Sequence, residues 1–176
     1  MDRETAQKWL NRLYWVRDLF VGWYFKRMSY EDFQEFASSP WKTWIFWQLG
    51  MRYIFDQQDR AQTPSETWER RGGDCEDMSW FCQEQLLYLQ YEAVLFRAKW
   101  ESADERGITA HIVCIFQANE SWGYMGTGPT EYAAGGLTYR EIADKMVGSK
   151  KLVEYGTIEF DPETRKRRYI EKFEVQ

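Results

Sequence analysis

Residues 72–77 of this chain, Gly72-Gly73-Asp74-Cys75-Glu76-Asp77, place a cysteine between acidic residues directly after a pair of glycines. The two glycines interrupt one helical pattern, and a second pattern begins at Cys75 and runs to about Gln90. A cysteine at the start of a helix meets unpaired N–H groups and the positive end of the helix dipole, which favour a thiolate over a thiol. The stretch therefore predicts a nucleophilic thiol at the start of a central helix.

His111 is the only histidine of the chain, and it lies in an apolar run, 110–116, that predicts a strand. A Cys/His acyl-transfer pair needs a thiolate and an imidazole that are close in space but distant in sequence. The three acidic residues around Cys75 oppose a thiolate, so an imidazolium partner is needed. We therefore predict Cys75 as the nucleophile and His111 as the general base and acid. N–H groups at the helix start are expected to form part of an oxyanion hole.

The first sixty residues are predicted to be helical, and one further short helix follows them. Apolar residues from Trp9 to Trp23 recur at helical spacing, and Ser29 begins a short second helix. Ser39-Pro40 begins a third helix that is expected to run to about Phe55. A capping box at Thr63 begins a fourth, closed by the glycines before Cys75. A helical layer thus precedes the central helix.

Beyond the central helix the hydrophobic period changes from helical to alternating. The pattern predicts strands over 93–100, 110–117 and 121–126, a glycine-rich loop over 126–136, a helix from Thr138 to Gly148, and a hairpin over 151–160 and 166–175. Helices followed by an antiparallel sheet define the α+β class.

Composition limits the possible functions. The 176 residues are expected to form one domain, 1–176, with ten Trp, eleven Tyr and eleven Phe. A net charge of −5 argues against a nucleic-acid partner, and the basic run 165–168 is interpreted as a solvated turn. No apolar run is long enough to span a membrane, so no membrane partner is predicted. The first residues lack the pattern of a signal peptide and the three cysteines make no disulfide framework, which favours a cytoplasmic location.

A zinc site built from the three cysteines and the histidine is disfavoured by their spacing. His111 and Cys114 are three residues apart on a strand and point to opposite faces, while Cys82 lies two helical turns beyond Cys75. Cys82 and Cys114 are therefore interpreted as core residues. The acidic residues around Cys75 do not have the spacing of a calcium loop. No metal and no cofactor are predicted.

The segment from Thr63 to Ser79, and above all its Gly-Asp-Cys-Glu-Asp core, resembles the nucleophile motif of the transglutaminase-like superfamily. It is most similar to the bacterial transglutaminase-like cysteine proteinases. The resemblance covers about residues 60–127; the helical extension 1–60 and the C-terminal helix and hairpin, 137–176, match no family. It implies a papain-like α+β fold and acyl transfer at an amide of a protein or peptide substrate, ending in hydrolysis or in capture by an amine.

The family also places an Asp or Asn about fifteen residues after the histidine, where it orients the imidazole. The matching stretch here, 122–128, contains neither carboxylate nor amide. Thr127 and Asp161 are the two candidates for the third member of the site. The sequence does not decide between them.

A second hypothesis is a catalytically degenerate domain that serves as a protein-binding or assembly module. The missing orienting residue and the high aromatic content support it, because exposed Trp and Tyr dominate interface energetics. Such a partner would dock on the aromatic N-terminal region. The discriminating observation is the orientation of six tryptophans: Trp9, Trp15, Trp23, Trp41, Trp44 and Trp47.

Overall fold

The computed structural model describes residues 23–55, 60–102 and 107–175. The predicted first helix, 9–23, and with it Trp9 and Trp15, lies outside the described residues apart from Trp23. The helices are α1 Trp23–Arg27, α2 Tyr30–Phe36, α3 Pro40–Gly50, α4 Pro64–Arg70, α5 Cys75–Tyr88 and α6 Tyr139–Val147. The strands are β1 Arg52–Tyr53, β2 Gly72–Gly73, β3 Ala93–Ser102, β4 Gly107–Ala118, β5 Ser121–Met125, β6 Tyr132–Leu137, β7 Leu152–Phe160 and β8 Arg167–Glu174.

Capping residues set the helix starts that the sequence predicts. Capping boxes begin at Ser29, Thr63, Asp74 and Thr138, each with an acidic side chain three residues on that bonds back to the cap. Ser39 caps α3, with Pro40 at its first position. These local hydrogen bonds satisfy N–H groups that would otherwise lack a partner, so each helix begins at a defined residue.

Strands β3 to β8 form one antiparallel sheet in the order β6-β5-β4-β3-β7-β8. Its two central strands, β3 and β4, pair along ten positions, with Ala98 opposite His111. The β7–β8 hairpin pairs its first strand with β3 and turns at the predicted Asp161-Pro162. The predicted α+β class is confirmed.

The sheet is covered on both faces, and side chains of β4 alternate between the two covers. Cys114 and Phe116 pack into a cluster with α5 and the N-terminal helices, which includes Phe33. Val113 and Ile115 pack into a second cluster with α6. The predicted packing of the cysteine-bearing central helix on an antiparallel sheet is therefore confirmed, with a further helix on the opposite face.

Three boundaries differ from the sequence prediction. Helix α3 ends at Gly50 rather than at about Phe55, because the backbone of Arg52 turns away to donate to the carbonyl of Arg71 at 2.9 Å. The glycines before Cys75 form strand β2, and α4 is closed instead by Arg71, which adopts a left-handed conformation with φ 53°. Most of the predicted glycine-rich loop 126–136 that follows Gly128 belongs to strand β6, which pairs with β5. Its glycines made this segment look like a loop in the sequence.

The four tryptophans of the proposed docking surface that are described do not share one environment. Trp44 and Trp47 are buried in the helical core, whereas Trp23 and Trp41 are about half exposed, at 55% and 50%. Trp41 packs against Trp44 and Tyr132, with ring centroids 5.0 and 5.1 Å away. Among the described residues, no helix is long and apolar enough to cross a membrane.

Candidate active site

Cys75 is the first residue of α5, and its position is set by the cap before it. The Asp74 side chain accepts hydrogen bonds from the N–H of Glu76 at 2.8 Å and of Asp77 at 3.3 Å. These two N–H groups were expected to form part of an oxyanion hole. Because they donate to the Asp74 side chain, they are not directed at a substrate. The N–H of Cys75 itself contacts the hydroxyl of Tyr53.

A buried carboxylate, Asp77, anchors the start of α5 to the segment before α4 and to its own N-cap. It is 1% exposed and accepts hydrogen bonds from the N–H of Gln62 at 2.6 Å, from Nε2 of Gln62 at 2.5 Å and from the N–H of Asp74 at 3.1 Å. A side chain at Gly73 would place its Cβ 2.4 Å from that of Asp77. The absence of a side chain at Gly73 thus leaves room for the Asp77 carboxylate.

One hydrogen bond joins the cysteine helix to the histidine strand. The Ser79 hydroxyl, one turn beyond Cys75 on α5, donates to the carbonyl of Ile112 on β4 at 3.0 Å, and the bond is buried. Ile112 directly follows His111. The bond therefore fixes the approach of the two elements that carry the predicted pair.

The imidazole of His111 lies between the thiol of Cys75 and a carboxylate, Glu131. Nε2 lies 3.2 Å from Oε2 of Glu131, which leaves Nδ1 as the ring nitrogen available for the hydrogen bond to Cys75. Burial opposes the imidazolium, but the hydrogen bonds and negative charges of Cys75 and Glu131 outweigh it and raise the pKa of His111 to about 10. The arrangement favours a protonated imidazole at neutral pH.

Glu131 is held by the turn between β5 and β6. Burial raises its pKa, but His111 and the backbone N–H groups of Gly128 (2.7 Å) and Thr127 outweigh this and keep the pKa below its ordinary value. A Cβ at Gly126 would lie 2.4 Å from Oε2 of Glu131, so glycine allows the carboxylate to enter. Nε2 of Gln48 on α3 donates to the carbonyls of this turn at 3.3 and 3.4 Å.

The structure brings Glu131 to the imidazole in the place for which Thr127 and Asp161 were the candidates. Thr127 contributes its backbone N–H to Glu131. Asp161 lies in the β7–β8 turn, where it accepts hydrogen bonds from Thr164 at 2.6 and 2.9 Å. The sequence search missed Glu131 because it lies three residues beyond the stretch that was expected to hold the orienting residue.

Tyr53 is a second residue that the sequence analysis did not single out. Strand β1 pairs in parallel with β2, so that Tyr53 lies opposite Gly73, and the N–H of Ile54 donates to the Gly73 carbonyl at 2.9 Å. The phenol hydroxyl forms hydrogen bonds with both the side chain and the N–H of Cys75. Burial, together with the charges of Cys75 and Asp74, raises the pKa of Tyr53, which keeps the phenol neutral.

The basic run 165–168 is a solvated turn only in part: Lys166 and Arg168 are exposed, whereas Arg165 and Arg167 are half-buried in ion pairs. Arg167 forms an ion pair with Glu76, the residue after Cys75, and Nη1 of Arg165 lies 2.6 Å from a carboxylate oxygen of Glu66. A cavity of about 300 Å³ is bordered by Glu76 and the basic run. The β7–β8 hairpin thus neutralises one of the acidic groups next to the nucleophile.

The other two cysteines lie in the core, as predicted. Cys82 and Cys114 are fully buried, and burial raises the pKa of each thiol. Within residues 23–55, 60–102 and 107–175, no cluster of three or more His, Cys, Asp or Glu side chains could hold a metal ion. Cys75 is the partly accessible thiol of the three.

Comparison with known proteins gives a remote structural likeness only. No protein-family model matches the chain, and no curated protein matches it. Among solved structures it is similar to LapG of Legionella pneumophila, with 16% identity and a TM-score of 0.44 over 97% of this chain and 88% of LapG. For the EGTA-treated form of LapG the values are 17% and 0.43 over 88% and 81%. For the calcium-bound form they equal those of the first. No conclusion about the function of this chain follows from a likeness of this size.

Proposed function

We propose that this protein is a thiol-dependent amidohydrolase, a cysteine peptidase of the transglutaminase-like type. Cys75 is the nucleophile, His111 the general base and acid, and Glu131 the residue that orients the imidazole. The observation that carries the proposal is the imidazole held between Cys75 and Glu131, with its pKa raised to about 10. The Gly-Asp-Cys-Glu-Asp resemblance supports it independently.

Acylation begins with attack of the Cys75 sulfur on an amide carbonyl carbon. The C–S bond forms, and the π electrons of the carbonyl move to its oxygen. The oxyanion then collapses, the C–N bond breaks, and the imidazolium of His111 gives its proton to the leaving nitrogen. Glu131 keeps the ring aligned and stabilises its charged form before that transfer.

Deacylation reverses the roles. Neutral His111 takes a proton from water, whose oxygen attacks the thioester carbon, and the C–S bond breaks to return the Cys75 thiolate and a carboxylic acid. An amine in place of water would give a new amide, which is transamidation. The site chemistry is the same for both outcomes, and the substrate is a protein or peptide.

Two observations weaken the hypothesis of a silent binding module. Its main support was the missing orienting residue, whereas Oε2 of Glu131 lies 3.2 Å from Nε2 of His111. Its second support was an aromatic surface, yet Trp44 and Trp47 pack inward. The exposed Trp23 and Trp41 remain compatible with a protein partner but do not favour one over a peptidase.

The test is the pH dependence of Cys75 alkylation by iodoacetamide, in the wild type and in His111→Ala. An ordinary thiol has a pKa of about 8.5. We expect alkylation of Cys75 to be markedly slower in His111→Ala than in the wild type. The buried Cys82 and Cys114 serve as an internal control, because native protein should consume one equivalent and unfolded protein three. Equal rates of Cys75 alkylation in the wild type and in His111→Ala would contradict the proposal.

Peptidase activity itself is measured by mass spectrometry with a library of peptides derived from a proteome, with and without added methylamine. Hydrolysis gives new free carboxylates, whereas transamidation gives N-methylamides. Cys75→Ala is the matched control, since it removes the sulfur and keeps the helix start. Equal product from the variant and the wild type would exclude Cys75 as the nucleophile.

A further inference from the structure

The phenol of Tyr53 is held beside the nucleophile by backbone pairing. The β1–β2 pair is short, but it joins the segment after α3 directly to the residues before Cys75. The N–H of Arg52 and the N–H of Ile54 each donate across the pair at 2.9 Å. A Cβ at Gly72 would lie 2.2 Å from the Arg52 carbonyl oxygen, so the two segments pair too closely for a side chain at this position. Tyr53 therefore has little freedom to leave the site.

The phenol ring of Tyr53 also packs against a neighbouring aromatic ring. The rings of Tyr53 and Phe55 pack edge to face, with centroids 5.0 Å apart. With the ring held in this way, the hydroxyl contacts two atoms of one residue: it bonds the Cys75 sulfur and accepts a hydrogen bond from the Cys75 N–H. Those two atoms flank the place where a carbonyl group attacked by that sulfur must lie.

The oxygen of an attacked carbonyl needs hydrogen-bond donors at that place. The N–H groups of Glu76 and Asp77 are engaged by the Asp74 side chain, so they do not supply them. At the sulfur, the N–H of Cys75 donates to the Tyr53 oxygen and the Tyr53 hydroxyl bonds the sulfur, so a carbonyl oxygen that enters between them would receive both donors in place of these contacts. Two donors that converge on one point are the arrangement that stabilises a developing oxyanion.

We propose that Tyr53 is a catalytic residue whose hydroxyl donates the second hydrogen bond of the oxyanion hole, beside the N–H of Cys75. This inference rests on the proposed acyl-transfer function. Before attack the hydroxyl proton points to the Cys75 sulfur. When the C–S bond forms, negative charge moves from sulfur to the carbonyl oxygen, and the hydroxyl turns to that oxygen. Tyr53 keeps its proton throughout, so no further acid or base is needed.

The test compares two reactions of Cys75 in the wild type and in Tyr53→Phe. p-Nitrophenyl acetate acylates the thiolate through an oxyanion and releases p-nitrophenolate, whereas iodoacetamide alkylates it without one. We expect the acylation rate to fall about 100- to 1,000-fold, the usual effect of losing one such donor. The alkylation rate should change less than about fivefold, because changes in thiolate fraction and in nucleophilicity partly cancel.

Tyr88→Phe is the matched control, because Tyr88 is an exposed tyrosine at the end of α5, the helix that begins with Cys75. It should leave both rates unchanged. Consumption of one thiol equivalent by native Tyr53→Phe verifies that the variant is folded.

Three outcomes would overturn the inference. A parallel fall of both rates would mean that Tyr53 acts on the thiolate alone. An unchanged acylation rate would mean that it is no donor. A faster one would mean that the hydroxyl blocks the site.

Failure of the proposed function has a different signature. In that case His111→Ala would leave the alkylation of Cys75 unchanged, whatever the effect of Tyr53→Phe. The two variants therefore separate a wrong oxyanion donor from a wrong reaction class.

Discussion

Oε2 of Glu131 lies 3.2 Å from Nε2 of His111, and it reaches the ring from a turn rather than from the adjacent strand β5. The same oxygen accepts the N–H of Gly128 at 2.7 Å. The carboxylate that stabilises the imidazolium is thus fixed by backbone as well as by the ring.

The titration of His111 should depend on Glu131. With its pKa raised to about 10, the ring carries its proton at neutral pH and loses it as the pH rises through that value. Because His111 is the only histidine, ¹⁵N-histidine labelling gives a single NMR titration curve. We expect Glu131→Gln to lower the midpoint by about one to three pH units, since an opposite charge is removed. The exposed Glu120→Gln should leave it unchanged; an unaltered midpoint in Glu131→Gln would contradict the assigned pairing.

A methyl group at Gly126 should displace the Glu131 carboxylate. Its Cβ would lie 2.4 Å from Oε2 of Glu131 and 2.9 Å from a methyl carbon of Val113. We expect Gly126→Ala to lower the His111 midpoint in the direction of Glu131→Ala, together with the rate of p-nitrophenyl acetate acylation. The double variant should lose no more than Glu131→Ala alone, because both changes remove one interaction. Additive losses would show that Gly126 acts elsewhere.

The ion pair between Arg167 and Glu76 should support the thiolate. Without the guanidinium, the Glu76 carboxylate beside Cys75 is unpaired and disfavours a second negative charge. We expect Arg167→Ala to slow alkylation at pH 6 by about threefold to tenfold, which corresponds to about 1 kcal/mol. Arg168→Ala is the control, since that neighbouring arginine pairs with Glu159 on the exposed side of the hairpin. Equal effects of the two variants would argue against a local electrostatic role.

The Asp77 anchor should be important for stability. Asp77→Ala leaves both donors of Gln62 and the N–H of Asp74 without their buried acceptor. We expect the free energy of unfolding to fall by about 3 kcal/mol, the cost of unsatisfied buried groups. Urea unfolding monitored by tryptophan fluorescence measures it. Glu69→Ala on the exposed face of α4 should change stability by less than about 0.5 kcal/mol, and a similarly small effect of Asp77→Ala would refute the anchor.

The sequence was most informative where the residue type is rare or the local pattern is strong. One histidine and one cysteine at a helix start identify the pair that the structure brings together. Capping boxes at Thr63 and Thr138 predicted their helix starts because the hydrogen bonds that form them span only three residues. Local chemistry of this kind is visible in sequence.

Glu131 and Tyr53 were not predictable in the same way. Glu131 is one of 28 acidic residues, and only the closure of the 126–131 turn gives it its place. Tyr53 was expected on a helix running to about Phe55, because the aromatic run before it fits a helical face. Its actual place depends on parallel pairing with Gly73, a contact between segments that are distant in sequence. Such long-range pairings leave no local signature.

The buried bond from Ser79 to the Ile112 carbonyl spans the boundary between the helical cover and the sheet. Cys75 belongs to the helical layer and His111 to the sheet. The distance between the thiol and the imidazole therefore depends on how tightly α5 packs against β4. A slight loosening of α5 would part the two groups while every helix and strand persisted. On heating, the His111-dependent alkylation of Cys75 should therefore be lost at a lower temperature than the circular dichroism signal of the helices and strands.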